Sequence, residues 1–468
     1  MLFSSIPFLY YFLPCVLLLY SVAPKKLKNS VLMLTSLVFY GWGEPKYVFL
    51  MLATIAVGYV TGLLIEKWTD AKPRLAKLML FVSVAFCLGF LGYFKYANFF
   101  VENFVALTGL SVKALNVALP IGISFYTFQI LSYSVDVYRK DVPAQRNPVN
   151  LAAYITMFPQ LIAGPIVRYS DIAEQLVGRS HTWDKTATGI RRFIVGLSKK
   201  VLLANILGEV CDAFKASDDK SVLFFWLYAV CYMLHVYFDF SGYSDMAIGL
   251  GHLFGFRFTE NFNYPYISAS VTEFWRRWHI SLGTWFRDYV YIPLGGNRVG
   301  KLRHCFNIFV VWMLTGFWHG AAWTFIVWGI YFAILLMIEK FFLLKYLKKT
   351  KVLNHIYVLL FVLFSFVIFN AADMGEAGQY LGGLFGIGGY PIVSESFFWY
   401  LRNYAAVLIV GCIGATPFVK NTVLKLHENK AADRVLNVLE PLVLVLLLLT
   451  VTAFLVDGSY NPFLYFRF

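Results

Sequence analysis

The sequence predicts an all-α protein that crosses a membrane many times. Hydrophobic residues make up 59% of the 468 residues and charged residues only 14%, whereas a soluble domain carries about 25% charged residues. Apolar runs of about 17 or more residues recur along the chain, and a run of that length can cross the hydrocarbon core as a helix. No polar linker separates a soluble domain, so we expect one integral-membrane domain over residues 1–468, ending in a short extracytoplasmic aromatic tail at 461–468.

The predicted spans are apolar runs bounded by charged or turn-forming residues. In chain order they cover residues 5–23, 30–40, 47–65, 78–97, 114–137, 189–211, 222–240, 305–318, 321–338, 352–369, 400–418 and 439–456. Lys and Arg are concentrated after alternate runs, whereas the loops at 98–111 and 370–396 contain neither. Because basic residues favour the cytoplasmic side, this alternation predicts about 11–12 crossings, with both termini outside the cytoplasm.

One apolar stretch, residues 151–167, differs because it contains Pro159, Gly164 and Pro165. A proline inside a helix removes a hydrogen bond and costs about 3 kcal/mol unless neighbouring groups compensate. We therefore expect a re-entrant or kinked segment here.

Charge and cysteine usage narrow the classes of partner. The formal net charge is +14, but the basic residues lie in short loops between apolar runs, as membrane topology favours, so we expect no nucleic-acid partner. The six cysteines include no Cys-X-X-Cys pair, which argues against a disulfide framework and a zinc site.

His235 and Asp239 share one helix face. Because no third ligand accompanies them, we favour a buried network over a metal site there.

A polar, aromatic-rich segment at residues 261–320 lies among these apolar runs. Such a segment cannot face lipid, so it must be buried in protein or line water. His279 follows the sequence Trp-Arg-Arg-Trp, and His319 lies in Gly-Phe-Trp-His-Gly. Imidazole is suited to proton transfer near neutral pH, so both are candidate catalytic residues. The alternatives are an interfacial helix for His279 and a structural histidine at a helix break for His319.

Arginines in this segment suit an anionic ligand, because a guanidinium group binds phosphate through two parallel hydrogen bonds. They are Arg276, Arg277, Arg287, Arg298 and Arg303. We expect Arg276, Arg277 and Arg287, together with Trp278, to bind a phosphopantetheine or coenzyme A group at the cytoplasmic face. The alternative is that these arginines only anchor the loop on the cytoplasmic side.

Six segments resemble segments of the membrane-bound O-acyltransferase (MBOAT) family and follow one another in the same order as in the family. The resemblance is specifically to the bacterial group that includes the membrane subunit of alginate O-acetylation. They are LPIGISFYTFQILSYSVDVYR at 119–139, MFPQLIAGPIVRY at 157–169, YFDFSGYSDMAIGLGHLFGF at 237–256, TEFWRRWHISLGTWFRDYVYIPLGGNR at 272–298, GFWHGAAWTFIVWG at 316–329 and NPFLYFRF at 461–468. The segments span most of the chain.

The resemblance implies an O-acyltransferase with a ring of about 11–12 transmembrane helices around a thin core, a through-membrane tunnel and re-entrant helices. It implies that His319 is the near-invariant histidine of the family, that His279 is its second conserved polar position and that Tyr465 accepts the acyl group. It further implies acetyl-coenzyme A or an acyl-carrier thioester as donor substrate with no bound cofactor, and a bacterial cytoplasmic membrane as location. The implied partners are an extracytoplasmic acetyltransferase of the SGNH type and a cell-surface or secreted polysaccharide.

Two functions from different classes fit the sequence. The first is acyl transfer, in which an acetyl group crosses the membrane for polysaccharide O-acetylation, or a D-alanyl or other acyl group is transferred to a wall polymer. The second is transport without bond chemistry, which explains the helices and the polar segment but not the Trp-His pairs. Transport also leaves the aromatic residues of the tail unexplained. The alternative is that these residues only anchor the tail at the membrane–water interface. The sequence favours the enzyme.

Overall fold

The computed structural model describes residues 2–110, 112–113, 115, 117–458 and 461. Within these residues the chain forms helices, turns and irregular segments, and no strand occurs, so the predicted all-α class is confirmed. The chain divides into two compact units, Met1–Phe193 with Met246–Thr259 and Ile194–Asp245 with Glu260–Phe468. The single domain over residues 1–468 stays a prediction.

The first unit contains the helices of the N-terminal part of the chain. They are α1 (Leu13–Val22), α2 (Lys28–Gly43), α3 (Val48–Thr69), α4 (Pro73–Leu91), α5 (Ala97–Thr108), α6 (Ile123–Arg139), α7 (Pro148–Thr156), α8 (Phe158–Leu161), α9 (Tyr169–Val177) and the start of α10 (Trp183–Ser198). A π-helical turn joins α4 to α5 into one helix of 36 residues. The loop expected from residue 98 therefore begins only at Gly109. The helix ends at Gly109, which has a φ of 69°. Glycine adopts this left-handed conformation without strain.

The stretch at residues 151–167 is broken, as its proline and glycine residues predict. α7 ends at Thr156 and the four-residue α8 follows from Phe158, and the whole stretch is buried. Polar groups at the break find partners, since Gln160 Nε2 donates to the Tyr154 carbonyl at 2.6 Å and the Phe158 amide donates to Ser36 Oγ at 3.1 Å. A buried interruption of a helix requires this compensation.

The second unit contains the remaining helices and every predicted site residue that the structure describes. They are the end of α10, α11 (Ile206–Ala216), α12 (Val222–Leu253, as far as Asp245), α13 (Val271–Arg277), α14 (Ile280–Phe286), α15 (Lys301–His319), α16 (Trp323–Ile338), α17 (Leu344–Leu347), α18 (Leu353–Asn370), α19 (Met374–Gly383), α20 (Glu395–Gly414), α21 (Phe418–His427) and α22 (Lys430–Val456). Large aromatic side chains, among them Trp328 and Tyr228, are fully buried in its core.

Seven helices among the described residues are long and apolar enough to cross a membrane. They are Pro45–Thr69, Pro73–Thr108, Val222–Leu253, Trp323–Leu347, Leu353–Asn370, Glu395–Gly414 and Lys430–Val456. Each overlaps a predicted run, so the polytopic membrane character is confirmed. The other predicted runs fall on shorter or more polar helices, such as Pro7–Val22, and the number of 11–12 crossings stays a prediction.

Helices α15 and α16 approach each other through two glycines. A Cβ atom at Gly316 would lie 2.3 Å from the Phe325 carbonyl oxygen and 3.1 Å from Gly329 Cα, and one at Gly329 would lie 2.5 Å from the Trp312 carbonyl oxygen. Small residues allow the backbones of membrane helices to touch in this way. Because His319 is the last residue of α15, this contact fixes its position.

Replacing Gly316 by Ala should lower the thermal stability, because the new methyl group meets backbone atoms that cannot move aside. Overpacking of this kind typically costs roughly 1–3 kcal/mol. The measurement is the unfolding temperature of the purified protein in detergent. Gly378→Ala is the matched control, since Gly378 lies within α19 and a Cβ atom there meets nothing within 4 Å. An unchanged unfolding temperature for Gly316→Ala would contradict the close packing.

Candidate active site

Two short helices, α13 and α14, present the polar residues of segment 261–320. Ser270 caps α13, since its Oγ accepts a hydrogen bond from the Glu273 amide at 3.0 Å. The buried Glu339 carboxylate accepts hydrogen bonds from the Val271 amide at 2.5 Å, the Thr272 amide at 2.8 Å and the Thr272 hydroxyl at 2.7 Å. Two of these bonds satisfy amides that the start of a helix leaves unpaired. They anchor α13 to the chain that follows α16.

His279 joins α13 to α14 with a φ of 45°. This left-handed conformation costs energy in a residue other than glycine and is concentrated at functional sites. Its Nδ1 lies 3.2 Å from Asn261 Oδ1, which also accepts hydrogen bonds from the Ser281 amide at 3.2 Å and the Ser281 hydroxyl at 2.9 Å. Because a backbone amide can only donate, the Asn261 atom must be its oxygen. Nδ1 of His279 therefore carries the proton.

In the neutral imidazole, a proton on Nδ1 leaves the lone pair on Nε2. The side chain is 2% exposed, and the Phe240 ring lies edge-on at 4.7 Å between ring centroids. Burial lowers the pKa of His279, which lies outside the candidate spans, to about 3. The imidazole therefore stays uncharged near neutral pH and presents a hydrogen-bond acceptor.

A cavity of about 690 Å³ lies beside α13 and α14, within the range of roughly 300–1,000 Å³ that is usual for small-molecule sites. Its polar lining residues are Thr272, Arg276, His279, Thr284, Arg287, Tyr291, Thr315 and Lys340. The rest of the lining is apolar apart from Gly283, and no Asp or Glu occurs among the described residues that form the wall. We define its exposed end by Arg276, Arg287 and Lys340 and its buried end by His279 and Thr315.

Positive charge is in excess at the exposed end. Arg287 is neutralised by Asp288, with Nε 2.7 Å from Oδ1 and Nη2 3.1 Å from Oδ2. Arg276 has no ion-pair partner in the part of the chain that the structure describes, and it lies close enough to Lys340 for the two charges to repel. Two cations without a facing carboxylate create a positive potential that attracts an anion.

His319 lies one helical turn beyond the buried end of the cavity. It is 9% exposed, and its ring lies edge-on to those of Trp328 and Phe369, at 5.2 Å from each. Thr315 lines the cavity and shares a face of α15 with His319, because the two are four residues apart. Four helical residues rise about 6 Å.

The structure brings the two candidate catalytic histidines together at Trp318. The Trp318 ring lies 5.0 Å from the His319 ring and 5.9 Å from the His279 ring. One indole group is therefore in contact with both imidazoles, although their residues belong to different helices. The sequence predicted each histidine separately, and the fold makes them neighbours.

Two of the predicted donor-binding residues do not line the cavity. Arg277 Nε donates to Glu273 Oε1 at 2.9 Å, and its Nη1 donates to the Asn263 carbonyl at 3.1 Å. Trp278 is 5% exposed and stacks on Phe274 at 5.5 Å. Both side chains hold α13 in place. The arginines Arg298 and Arg303 are also absent from the lining.

Lys340 lines the cavity but was not a candidate from the sequence. The signal that could have found it is its place in an apolar helix, since Glu339 and Lys340 interrupt a helix that continues to Leu347. Ionisable residues within such helices mark functional positions more often than chance.

His235 and Asp239 belong to a buried network. Asp239 forms an ion pair with Lys200, and both side chains are 2% exposed. His235 Nδ1 lies 2.5 Å from the Ala204 carbonyl oxygen. Within the described ranges, no group of three or more His, Cys, Asp or Glu side chains could hold a metal ion.

The C-terminal tail begins close to this network. Asn205 follows Ala204, and its Nδ2 donates to Asn461 Oδ1 at 3.2 Å. The first residue of the tail is therefore in contact with the second unit. Tyr465, the predicted acyl acceptor, lies outside the described residues.

Comparison with known proteins identifies the family. Residues 138–373 match the family described as MBOAT, membrane-bound O-acyltransferase family. The chain is 39% identical over 500 residues to a protein of Azotobacter vinelandii named "Probable alginate O-acetylase AlgI", with 100% of both chains covered. It is 44% identical over 398 residues to the protein of the same name from Pseudomonas syringae pv. tomato, covering 84% of this chain and 76% of that one. It is 31% identical over 519 residues to the "Peptidoglycan O-acetyltransferase" of Helicobacter pylori, covering 100% and 98%. With similarity along its full length, this chain belongs to the membrane-bound O-acyltransferase family and is a multi-pass membrane enzyme that transfers acyl groups to oxygen.

Proposed function

We propose that this chain moves an acetyl group from a cytoplasmic thioester across a bacterial cytoplasmic membrane, for O-acetylation of a cell-surface or secreted polysaccharide. The observation that carries the proposal is the cavity, which has excess positive charge at its exposed end and contains His279 at its buried end, one helical turn from His319. A thioester with phosphate at one end of a long arm and an acyl group at the other is complementary to it. The names of the full-length relatives, which include a probable alginate O-acetylase and a peptidoglycan O-acetyltransferase, support an acetyl group and a polymeric acceptor.

The proposed donor is acetyl-coenzyme A, bound as a substrate. Its phosphate groups would lie at Arg276 and Arg287, and its arm would follow the apolar wall formed by Trp275 and Trp312. His279 offers a hydrogen-bond acceptor at Nε2, which suits an amide N–H of the pantetheine arm. In this arrangement His279 positions the thioester.

His319 is the proposed general base. It removes the proton from an acceptor hydroxyl as that oxygen attacks the carbonyl carbon of the thioester. A C–O bond forms, the C–S bond breaks, and protonated His319 returns its proton to the departing thiolate. The products are an ester and a free thiol, with no net change in charge.

The proposed first acceptor is the phenol of Tyr465. The hydrogen bond between Asn461 and Asn205 supports this role, because it holds the start of the tail against the second unit. An aryl ester is a reactive acyl donor. It would pass the acetyl group to an extracytoplasmic partner of the SGNH type, which regenerates the phenol and transfers the group to a sugar hydroxyl.

Transfer of a D-alanyl group is less consistent with the cavity. A D-alanyl thioester carries an ammonium group beside its carbonyl carbon, and a buried ammonium group needs a carboxylate partner. The described lining contains no Asp or Glu, and the imidazole at its buried end is neutral. An uncharged acetyl group needs no such partner.

Replacing His319 by Ala should abolish polysaccharide O-acetylation in cells, because general-base catalysis contributes about 100-fold or more to the rate. The measurement is the ester content of the isolated polysaccharide, normalised to the amount of protein in the membrane. His427→Ala is the control, since His427 is a half-exposed histidine paired with Asp433 at 2.7 Å, away from the cavity lining. Normal acetylation by a well-expressed His319→Ala protein would exclude the catalytic role.

Replacing Tyr465 by Phe keeps the aromatic ring of the tail and removes only the nucleophile. We expect polysaccharide acetylation to be lost, while the protein still releases thiol from acetyl-coenzyme A at a slow rate limited by water as acceptor. Phe466→Tyr in the same background tests whether a phenol at the neighbouring position restores activity. If Tyr465→Phe acetylates at the normal rate, the tail serves only as an anchor.

His279 should make the protein less stable in mild acid. The unfolded chain binds a proton at His279 below about pH 6.5, which the folded protein does not bind until about pH 3, so stability falls as pH decreases between these values. The slope is at most about 1.4 kcal/mol per pH unit for one proton. Unfolding temperatures at about pH 7.5 and pH 5 should therefore differ less in His279→Gln than in wild type, because glutamine does not titrate. A pH dependence of His279→Gln identical to that of wild type would contradict the buried neutral state.

A further inference from the structure

Lys340 is held by His304, a side chain that the proposed reaction does not use and that also contacts Tyr291. Its Nζ lies 2.9 Å from His304 Nε2, and the Tyr291 hydroxyl lies 2.9 Å from the same nitrogen. An ammonium group can only donate, so Nε2 accepts and the His304 proton is on Nδ1. His304 is 5% exposed, which makes it a fixed support. The Lys340 ammonium retains two further N–H groups for a ligand.

The backbone also separates Lys340 from its acidic neighbour. Glu339 and Lys340 are consecutive residues in the π-helical turn Glu339–Leu343, and consecutive side chains of a helix point in different directions. Glu339 is directed inward to α13, where its carboxylate is occupied by three hydrogen bonds. Lys340 is directed to the cavity. π-Helical turns of this kind are frequent at functional sites.

The charges at the exposed end fit an anion with two adjacent phosphates. Arg287 is neutralised by Asp288, so Arg276 and Lys340 provide the excess charge. Holding two cations close together costs energy unless an anion lies between them. A single phosphodiester carries one negative charge and would leave one cation uncompensated, whereas a pyrophosphate compensates both.

We propose that Lys340, positioned by His304 and Tyr291, binds the donor together with Arg276, and that the two cations recognise its pyrophosphate group. The inference rests on the proposed function, because it assigns one part of the donor to one end of the cavity. It extends that function by adding a binding residue and by selecting donors with a pyrophosphate over donors whose arm ends in one phosphate. A lipid headgroup offers phosphate too, and the experiment separates the two sources.

The experiment measures binding by the full-length protein in nanodiscs of phosphatidylcholine alone, which contain no anionic lipid. Trp275 and Trp312 line the cavity, so their fluorescence reports occupancy. The probes are dephospho-coenzyme A, which contains the pyrophosphate, and the methyl ester of 4′-phosphopantetheine, whose phosphodiester carries one negative charge. The variants are Lys340→Met, Lys340→Arg and His304→Leu. Lys345→Met is the matched control, because Lys345 lies in the same helical segment but outside the lining.

Lys340→Met should weaken the binding of dephospho-coenzyme A about tenfold, as the loss of one charge-assisted hydrogen bond predicts. The effect of Lys340→Met on the methyl ester of 4′-phosphopantetheine should be less than about threefold, and the affinity of this variant for dephospho-coenzyme A should depend less steeply on salt. Lys340→Arg should restore most of the affinity because it keeps the charge. His304→Leu should weaken the binding of dephospho-coenzyme A and reduce the preference between the probes, because Lys340 loses its support, and Lys345→Met should match wild type.

The inference is overturned if Lys340→Met binds dephospho-coenzyme A as wild type does, which is the result expected if Lys340 serves a lipid headgroup. It is also overturned if the variant weakens both probes equally. In either case the wild-type protein still binds donor analogues and the proposed function stands. A wild-type protein that binds neither probe and fails to acetylate polysaccharide would overturn both.

Discussion

The site depends on one buried carboxylate. Glu339 is fully buried and accepts two backbone amides and one hydroxyl at the start of α13. An ionised group inside an apolar helix is costly unless such donors compensate it. The compensation couples two elements, because α13 cannot leave the end of α16 without exposing both the carboxylate and its own amides. Arg276 and His279 are thereby held opposite Lys340.

Charge is distributed along the cavity in a way that suits acyl transfer. Exposed cations are at one end, where an anionic head can be bound without burying its charge. The buried end contains a neutral imidazole, whose tautomer is set by Asn261 and the Ser281 amide. In our proposal a thioester bound there would meet the acceptor Nε2 of His279 and aromatic walls, and no fixed charge would compete with the proton transfer to His319.

Close helix packing places the second histidine. The contact between Gly316 and Gly329 sets the distance between α15 and α16, and the rings of Trp318, Trp328 and Phe369 enclose His319. Aromatic rings of this size leave few alternative positions for an imidazole. The position of the His319 ring is thus fixed by packing, whereas the position of the His279 ring is fixed by hydrogen bonds.

The sequence by itself determined the membrane class and the broken stretch at residues 151–167, and it selected His279 and His319 as candidate residues. These are local properties, since apolar runs, prolines and polar motifs are visible along the chain. Only the tertiary structure decided that Arg276 lines the cavity while Arg277 pairs with Glu273, because adjacent helical residues face different neighbours. It also decided the tautomer of His279 and the contact of Lys340 with His304, each of which depends on a partner in another part of the chain. A linear pattern reports which side chains are polar, but the packing of helices determines which of them meet.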